Sequence, residues 1–203
     1  MKIGIFGGSF NPIHNGHLIL AECVRDTLGL QKVIFIPNGE PPHKDGSDLA
    51  GPDHRAAMVR SSVMLNPRFD FSDIELKREG TSYTIDTVRE LLRRRQADQL
   101  YFIIGADSIP ELPTWVEIEE LGKLCRFVVG ARPGFSMDKL ETLEGKLPAE
   151  FIQNLKDNFI EMPLIDISAS DIRQRVREGK SIRHLVPNEV LDYVRTNDLY
   201  RET

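Results

Sequence analysis

Short runs of consecutive apolar residues alternate along the 203-residue chain with stretches in which apolar residues recur every three or four positions. The first pattern is typical of strands buried on both faces of a sheet, and the second is typical of amphipathic helices. Strands are therefore predicted at residues 3–6, 33–36, 69–76, 100–104, 126–129 and 159–165. Helices are predicted at residues 18–28, 54–65, 83–95, 111–124, 170–178 and 188–197.

The order of these elements predicts the fold class. Strands separated by helices favour right-handed βαβ units, which place the strands parallel in one sheet. The expected fold is α/β, a doubly wound, mostly parallel sheet of a nucleotide-binding type. The last two helices have no strand between them, so residues 1–203 are predicted to form one domain with a C-terminal helical subdomain at 167–203. Residues 134–146 are interpreted as a surface excursion, and Asp53 as a helix cap.

Composition narrows the class of protein. Apolar residues make up 40% of the chain and charged residues 28%, which is a globular profile. The net charge of −5 argues against a protein that coats nucleic acid, and no apolar run reaches the roughly 18 residues of a membrane-spanning helix. Cys23 and Cys125 form no CxxC pair, and no signal-peptide pattern opens the chain. We therefore expect a cytoplasmic protein without nucleic-acid or membrane partners.

Residues 7–17, GGSFNPIHNGH, carry the strongest chemical signal. They follow the first predicted strand and lead into the first helix, where backbone N–H groups and the positive end of the helix dipole favour a phosphate. Glycines here let the backbone approach a ligand closely. His14 and His17 are also compatible with a helix cap or a zinc pair, but the sequence offers no third metal ligand nearby. The glycine spacing differs from the GxGxxG of dinucleotide-binding enzymes.

This string resembles the HxGH motif of the nucleotidyltransferase superfamily, whose common form is GGxFDPxHxGH. Asn11 stands where that form usually has Asp, a side chain of the same shape. Residues 37–44, PNGEPPHK, resemble the PPHK loop of one family within it, the bacterial nicotinate-mononucleotide adenylyltransferases. Residues 78–87 resemble the SYTxxT segment of the same family.

Two more segments extend this resemblance toward the C-terminus. The GAD sequence at 105–107 and Trp115 are similar to the family's GAD…W stretch. Residues 167–173, ISASDIR, resemble its ISSTxIR motif, with Ala169 and Ser170 in place of Ser and Thr. The motifs follow one another in the family's order across essentially the whole chain. The resemblance therefore implies a Rossmann-like nucleotidyltransferase fold.

The resemblance also implies a reaction: ATP and nicotinate mononucleotide give nicotinate adenine dinucleotide and pyrophosphate, a step of NAD biosynthesis. The attacking phosphate oxygen is already ionised at neutral pH, so no general base is needed. Catalysis then depends on aligning two anions and neutralising charge on the transferring and leaving phosphates. Mg²⁺ is expected to arrive with ATP, held mainly by phosphate oxygens and water, and no metal ligands in the protein are predicted. A homodimer is one alternative for the oligomeric state.

By the same resemblance, each motif supplies residues to the site. The implied catalytic residues are His14, His17, Ser170 and Arg173. The implied ATP-binding residues also include Gly7, Gly8, Ser9, Phe10, Lys44, Gly105, Asp107, Arg132, Ile167 and Ser168. The implied residues for the acceptor nucleotide are Asn38, Lys44, Ser82, Tyr83, Thr84, Asp107 and Trp115. Of the two histidines, His17 is the stronger candidate for contact with the transition state.

Ordinary structure could also explain several of these residues. The alternatives are core packing for Trp115, helix caps for Ser170 and Asp107, a solvated loop for Lys44, and a turn for Arg132. Arg55 and Met58, on one predicted helix, are either motif residues or part of an amphipathic face.

Other functions stay open from the sequence. They are adenylyl transfer to the amide mononucleotide or to pantetheine phosphate, and a non-catalytic nucleotide sensor on the same fold. The SYTxxT and GAD…W segments argue against the pantetheine alternative, and the complete set of implied catalytic residues argues against a sensor. The distribution of charge favours a small polyanion as ligand, because residues 167–184 contain five Lys or Arg and two acidic residues in a chain that is acidic as a whole.

Overall fold

In this computed structural model, the described part of the chain comprises residues 1–39, 49–94, 99–131, 137–163 and 165–201. Its strands are β1 (Lys2–Gly8), β2 (Lys32–Pro37), β3 (Phe69–Phe71), β4 (Gln99–Gly105), β5 (Arg126–Ala131) and β6 (Phe159–Glu161). Its α-helices are α1 (Asn15–Leu28), α2 (Pro52–Val63), α3 (Thr84–Arg94), α4 (Ile118–Leu124), α5 (Ala149–Asp157), α6 (Ala169–Arg177) and α7 (Asn188–Thr196). Two 3₁₀ segments, Ala106–Thr114 and Met137–Leu143, follow β4 and β5. No helix in these ranges has the length and apolar character to cross a bilayer.

The described strands form one parallel sheet in the order β3-β2-β1-β4-β5-β6. Ile5 of β1 pairs with Ile34 of β2 on one side and with Phe102 of β4 on the other. The chain moves outward from β1 to β3, then returns to the centre at β4 and moves outward the other way. This reversal defines a doubly wound α/β fold, so the predicted fold class is confirmed.

Successive residues of each strand point to opposite faces of the sheet, and each face carries its own apolar cluster. The cluster under α3, α4 and α5 includes Ile5, Val88, Phe102, Leu121, Phe127 and Leu155. The cluster on the other face, under α1, α2, α6 and α7, includes Val24, Phe35, Met58, Val128, Ile172 and Val190. The two C-terminal helices thus share a core with the first two helices. The helical subdomain over residues 167–203 stays a prediction.

Glycine and proline set the bounds of two helices. α1 ends at Gly29, whose left-handed φ of 62° suits a residue without a side chain. α2 begins at Pro52, whose fixed φ and missing N–H suit the first helical position. The prediction that Asp53 caps this helix is wrong, because Gly51 is the N-cap and Asp53 lies in the first turn.

Two strands are shorter than predicted. The strand expected at 69–76 is β3, which ends at Phe71, and the strand expected at 159–165 is β6, which ends at Glu161. Both are edge strands with a partner on one side only. The apolar pattern continues past them because residues such as Ile74 are buried in the core without belonging to the sheet.

The region between β4 and β5 is not the single helix predicted at 111–124. It divides into the 3₁₀ segment Ala106–Thr114 and α4. Pro110 and Pro113 remove backbone donors that an α-helix would need. Glu117, with a left-handed φ of 51°, then redirects the chain into α4. Trp115 therefore lies at a junction and not in the middle of a helix.

The region after β5 also differs from the prediction. The described part of the expected surface excursion at 134–146 includes Leu140 and Leu143, which are buried in the core. The helix α5 was not predicted, although Ile152 and Leu155 give it a buried face. Apolar residues at helical spacing were present there, but they are few and interrupted by charges.

Substitutions in the sheet core test how much its buried side chains contribute to the free energy of unfolding. Replacing Ile5 with Ala removes a fully buried side chain from the central strand, and we expect a loss of about 2–5 kcal/mol in the free energy of unfolding. Met64→Ala is the control, because this residue is 77% exposed and should change stability by no more than about 0.5 kcal/mol. Urea unfolding followed by circular dichroism measures both, and equal effects would contradict this assignment of the core.

Candidate active site

A cleft of about 760 Å³ opens where the sheet reverses, at the carboxyl ends of β1 and β4. Doubly wound sheets bind ligands at this position, because the connections from the two central strands run to opposite sides. All predicted site residues within the described ranges line the cleft: Gly7, Gly8, Ser9, Phe10, His14, His17, Asn38, Ser82, Tyr83, Thr84, Gly105, Asp107, Trp115, Ile167, Ser168, Ser170 and Arg173. Lys44 and Arg132, also predicted, lie outside the described residues.

The two motif histidines form a stacked pair at the start of α1. Their ring centroids are 3.6 Å apart, with an interplanar angle of 23°. The backbone N–H of His14 donates to Nδ1 of His17 over 3.2 Å. An accepting Nδ1 carries no proton, so the proton of a neutral His17 ring lies on Nε2. His14 is only 3% exposed, whereas His17 is half-buried, which makes His17 the more accessible donor to a ligand.

Gly16 allows this pair to form. A Cβ atom at Gly16 would lie 3.1 Å from Nδ1 and 3.2 Å from Cε1 of His14. Contacts this short are tighter than most in proteins, so a side chain here would require the His14 ring to shift by a few tenths of an ångström. The glycine of the HxGH string therefore leaves room for the neighbouring His14 ring.

Phe10 supports the same pair from the glycine-rich loop. It has a left-handed φ of 45° and is 2% exposed. Its ring meets Phe6 and His17 edge-on, with centroid distances of 5.6 and 5.1 Å. A left-handed backbone costs a residue with a side chain about 1–2 kcal/mol. The close packing of this ring holds the loop in that conformation and fixes one side of His17.

The N-terminus of α6 faces the cleft and is capped by Ser168. The Ser168 hydroxyl accepts the backbone N–H of Asp171 over 3.1 Å. The interpretation of Ser170 as the cap is therefore wrong, because Ser170 lies inside the first turn, with its hydroxyl 3.1 Å from that of Ser168. The cap thus leaves the second hydroxyl at the positive end of the helix, where it can meet an anion.

Arg173 connects α6 to the glycine-rich loop. Its Nη1 donates to the backbone carbonyl of Asn11 over 2.9 Å. The Asn11 side chain is buried, and its Oδ1 accepts the N–H of Ala50 and the O–H of Tyr200. Both bonds need only an acceptor oxygen, which the usual Asp would also supply. The replacement of Asp by Asn therefore preserves these contacts.

The opposite end of the cleft is formed by the start of α3. The Tyr83 carbonyl accepts the N–H groups of Asp86 and Thr87, so Tyr83 stands immediately before the helix and Thr84 is its first residue. Backbone N–H groups of a first helical turn have no partner within the helix. Ser82 is buried, and its hydroxyl donates to the Glu75 carbonyl over 3.4 Å. The turn can thus present N–H donors to an anionic group.

Asp107 and Trp115 line the cleft from the 3₁₀ segment after β4. The Asp107 carboxylate occupies the space that a side chain at Gly105 would need. Gly105, not Asp107, is the N-cap of this segment, so the helix-cap alternative for Asp107 is wrong. The Trp115 ring meets Phe102 at 90° with a centroid distance of 5.8 Å and also lines the cleft. For Trp115, core packing and contact with a ligand are therefore compatible.

Glu75, which no sequence motif singles out, is a buried carboxyl group that lines the same end of the cleft. Its Oε1 accepts the Thr87 hydroxyl over 2.8 Å, and Arg78 donates to that hydroxyl and to Glu90. Burial raises the pKa of Glu75, while the Thr87 bond and the charge of Arg78 partly oppose the increase. The only sequence signal was its position close to the SYTxxT segment.

Arg55, which the sequence left undecided, belongs to the framework of the site. It is 1% exposed. Its guanidinium donates to the backbone carbonyls of Ser9, Asn38, Gly39 and Ala50 over 2.7–3.0 Å, and to the Asn38 side chain over 3.3 Å. Burial lowers the pKa of this group. Three nitrogens in one rigid plane thus join the loops after β1 and β2, a task that a lysine ammonium could not perform.

Comparison with known proteins finds a matching family model and relatives that cover nearly the whole chain. Residues 5–175 match the family model described as cytidylyltransferase-like. A relative from Desulfitobacterium hafniense (strain Y51), named "Probable nicotinate-nucleotide adenylyltransferase", is 45% identical over 201 residues, which are 98% of this chain and 96% of the relative. A relative of the same name from Moorella thermoacetica is 44% identical, with coverage of 98% and 92%.

A solved structure shows the same fold. It is the Plasmodium falciparum nicotinic acid mononucleotide adenylyltransferase complexed with NaAD, with a TM-score of 0.78 and 21% identity. The alignment covers 98% of this chain and 97% of that one. The chain therefore belongs to the cytidylyltransferase-like family and, within it, to the nicotinate-nucleotide adenylyltransferases.

The raised pKa of Glu75 predicts a pH-dependent stability difference. A carboxyl group with a folded-state pKa above its unfolded value stabilises the fold at low pH and loses that contribution as pH rises through the folded value. Glu75→Gln keeps an acceptor for Thr87 but cannot ionise. We expect its stability relative to the parent to increase from about pH 4.3 upward. Urea unfolding of both proteins between pH 4 and 8 measures this, and a constant difference would contradict it.

Proposed function

We propose that the cleft catalyses transfer of the adenylyl group of ATP to nicotinate mononucleotide, with release of pyrophosphate. Membership of the family supports the reaction. The observation that carries the assignment of the site is the convergence of the HxGH histidines, the α6 N-terminus and the α3 N-terminus on one cleft. These elements provide donors at both ends, as two anionic substrates require.

The chemistry needs alignment more than proton transfer. The phosphate oxygen of the acceptor is ionised at neutral pH, so it can attack the α-phosphorus of ATP without a base. As the new P–O bond forms, the bond to the β-phosphate oxygen breaks and pyrophosphate leaves with the electron pair. Negative charge therefore moves to the leaving group, and fixed N–H donors near it lower the barrier.

We assign His17 as the hydrogen-bond donor to the transferring phosphate. Its Nδ1 is occupied by the His14 N–H, so its Nε2–H is oriented without any proton exchange. The rings of His14, Phe6 and Phe10 hold the imidazole on several sides. A donor fixed in this way does not have to reorganise during the reaction. His14 is assigned a second contact to the phosphates and a structural role under His17.

The triphosphate would extend toward α6. We assign the β- and γ-phosphates to Ser168, Ser170 and Arg173, because hydroxyls, a guanidinium and a helix N-terminus meet there. Gly7, Gly8 and Ser9 would bring backbone close to the nucleotide, as would Gly105 from β4. Ile167 and Phe10 would border it, and Lys44 and Arg132 stay predicted contacts from the family motifs.

The acceptor nucleotide would occupy the other end. The N–H groups at the start of α3, with Tyr83 and Thr84, suit a carboxylate on the pyridine ring. An amide brings donors of its own to this set of donors, which favours the acid form. Trp115 would stack on the ring. Asn38, Ser82 and Asp107 would bind the rest of the nucleotide.

Mg²⁺ would enter as part of the ATP complex. Asp107 and Glu111 lie exposed at the cleft, and the described ranges contain no group of three or more His, Cys, Asp or Glu suited to a resident metal. This donor set suits an ion whose ligands are mainly phosphate oxygens and water. When bound, the ion would neutralise phosphate charge. A cytoplasmic location and a homodimer stay predictions from the sequence.

A product assay tests the substrate assignment. The protein is incubated with ATP, Mg²⁺ and either nicotinate mononucleotide or its amide, and pyrophosphate release is measured. We expect kcat/KM for the acid to exceed that for the amide, because both carboxylate oxygens accept from the donors at α3, whereas the amide offers one oxygen and an NH₂ group. A preference for the amide would overturn the acceptor assignment. No pyrophosphate with either acceptor, despite ATP binding, would favour a nucleotide sensor.

A pair of histidine variants tests the mechanism. His17→Ala removes the fixed Nε2–H donor, and we expect kcat to fall by about 10²–10³-fold. His54→Ala is the matched control, because its Nδ1 lies 3.1 Å from the Tyr193 hydroxyl outside the cleft lining. Turnover of the control should stay within about twofold of the parent. Parent-like turnover of His17→Ala would rule out the assigned role.

A further inference from the structure

The end of the chain returns to the glycine-rich loop. The hydroxyl of Tyr200 lies 2.9 Å from Oδ1 of Asn11, across 189 positions of sequence. Leu199 and Tyr200 pack against the apolar cluster on the α1 face of the sheet. Asn11 lines the cleft, whereas Tyr200 does not. A residue far from the family motifs thus reaches the ATP end of the site indirectly.

The direction of this hydrogen bond follows from its neighbour. The backbone N–H of Ala50 donates to the same Oδ1 over 3.0 Å, which requires an oxygen and not the amide nitrogen at that position. The Tyr200 hydroxyl must therefore be the donor. Asn11 is 4% exposed, so water cannot readily replace a donor that is removed.

Asn11 is also the anchor for Arg173. While Tyr200 and Ala50 hold its side chain, its backbone carbonyl accepts Nη1 of Arg173 over 2.9 Å. Asn11 is three residues from His14, and Phe10, which packs on His17, precedes it. A shift of Asn11 would therefore move both the guanidinium and the histidine pair.

The backbone of Tyr200 is strained, which indicates that the surrounding fold holds its hydroxyl in contact with Asn11. Its φ is 65°, in the left-handed region that residues with large side chains seldom adopt. Such conformations persist where surrounding contacts enforce them, and they are concentrated at functional sites. Burial also raises the pKa of the phenol, although the charges of Arg173 and Arg55 oppose this, so the hydroxyl keeps its proton for donation.

We propose that Tyr200 is a positioning residue for ATP, which fixes Asn11 and through it Arg173 and the HxGH loop. The inference rests on the proposed function, since it assumes that Arg173 and the histidines bind the triphosphate. It assigns no role to Tyr200 at the acceptor end, where Tyr83, Thr84 and Trp115 lie. Loss of its hydroxyl should therefore affect the two substrates differently.

Tyr200→Phe tests the proposal, because it removes the hydroxyl and keeps the ring. The substitution leaves the buried Oδ1 of Asn11 with one hydrogen-bond donor fewer. We therefore expect kcat/KM for ATP to decrease by about tenfold. The KM for nicotinate mononucleotide, measured at saturating ATP, should stay within about twofold of the parent value. Tyr193→Phe is the matched control: its hydroxyl contacts His54 on α2, away from the cleft, and both constants should be unchanged.

Two results would overturn the proposal. One is a kcat/KM for ATP within twofold of the parent. The other is an equal change for both substrates together with a lower melting temperature, which would indicate a structural role only.

Binding of the α,β-methylene analogue of ATP, measured by calorimetry, separates this proposal from the proposed function. If the parent binds the analogue but releases no pyrophosphate from ATP and nicotinate mononucleotide in the product assay, the proposed function fails. In that case weaker binding by Tyr200→Phe than by Tyr193→Phe still supports the positioning role, and equal binding overturns it. A parent that does not bind the analogue overturns both proposals.

Discussion

The reversal of the sheet between β1 and β4 is the constraint on which the site depends. Both strands end at the same edge, and the segments that follow them run to opposite faces, so a gap remains between them. Glycines at the strand ends keep side chains out of that gap, and in the case of Gly105 the space is taken by Asp107. The N-termini of α3 and α6 border this gap. The gap itself follows from the doubly wound topology and does not depend on the particular sequence.

The buried guanidinium of Arg55 adds positive charge and rigidity behind this gap, through its hydrogen bonds to Ser9 and Asn38. Arg55 bonds to neutral oxygens, so its hydrogen bonds organise two loops without cancelling its positive charge. Such a charge under a polar loop contributes to the field that a polyanion meets. The net charge of −5 therefore does not indicate the charge of the ligand. The positions of individual cationic side chains near the cleft are the better indicator.

The sequence was informative where function depends on neighbours along the chain. The two histidines and the glycine between them lie within four consecutive positions, so a short motif in the sequence is enough to predict their arrangement. Consecutive apolar residues likewise predicted the central strands, since both faces of those strands are buried. Glu75, Arg55 and Tyr200 could not be assigned, because each acquires its role from residues on other elements. The helix predicted at 111–124 is wrong for a local reason, because Pro110 and Pro113 lie in a 3₁₀ segment there.

The contacts of Asn11 have a consequence for how the protein is made. Its partners lie 162 and 189 positions later in the chain, at Arg173 and Tyr200. The loop at Asn11 is therefore completed only by residues that the ribosome adds at least 162 positions after it. A ligand at this loop can therefore stabilise the first strands fully only after Arg173 and Tyr200 have been synthesised.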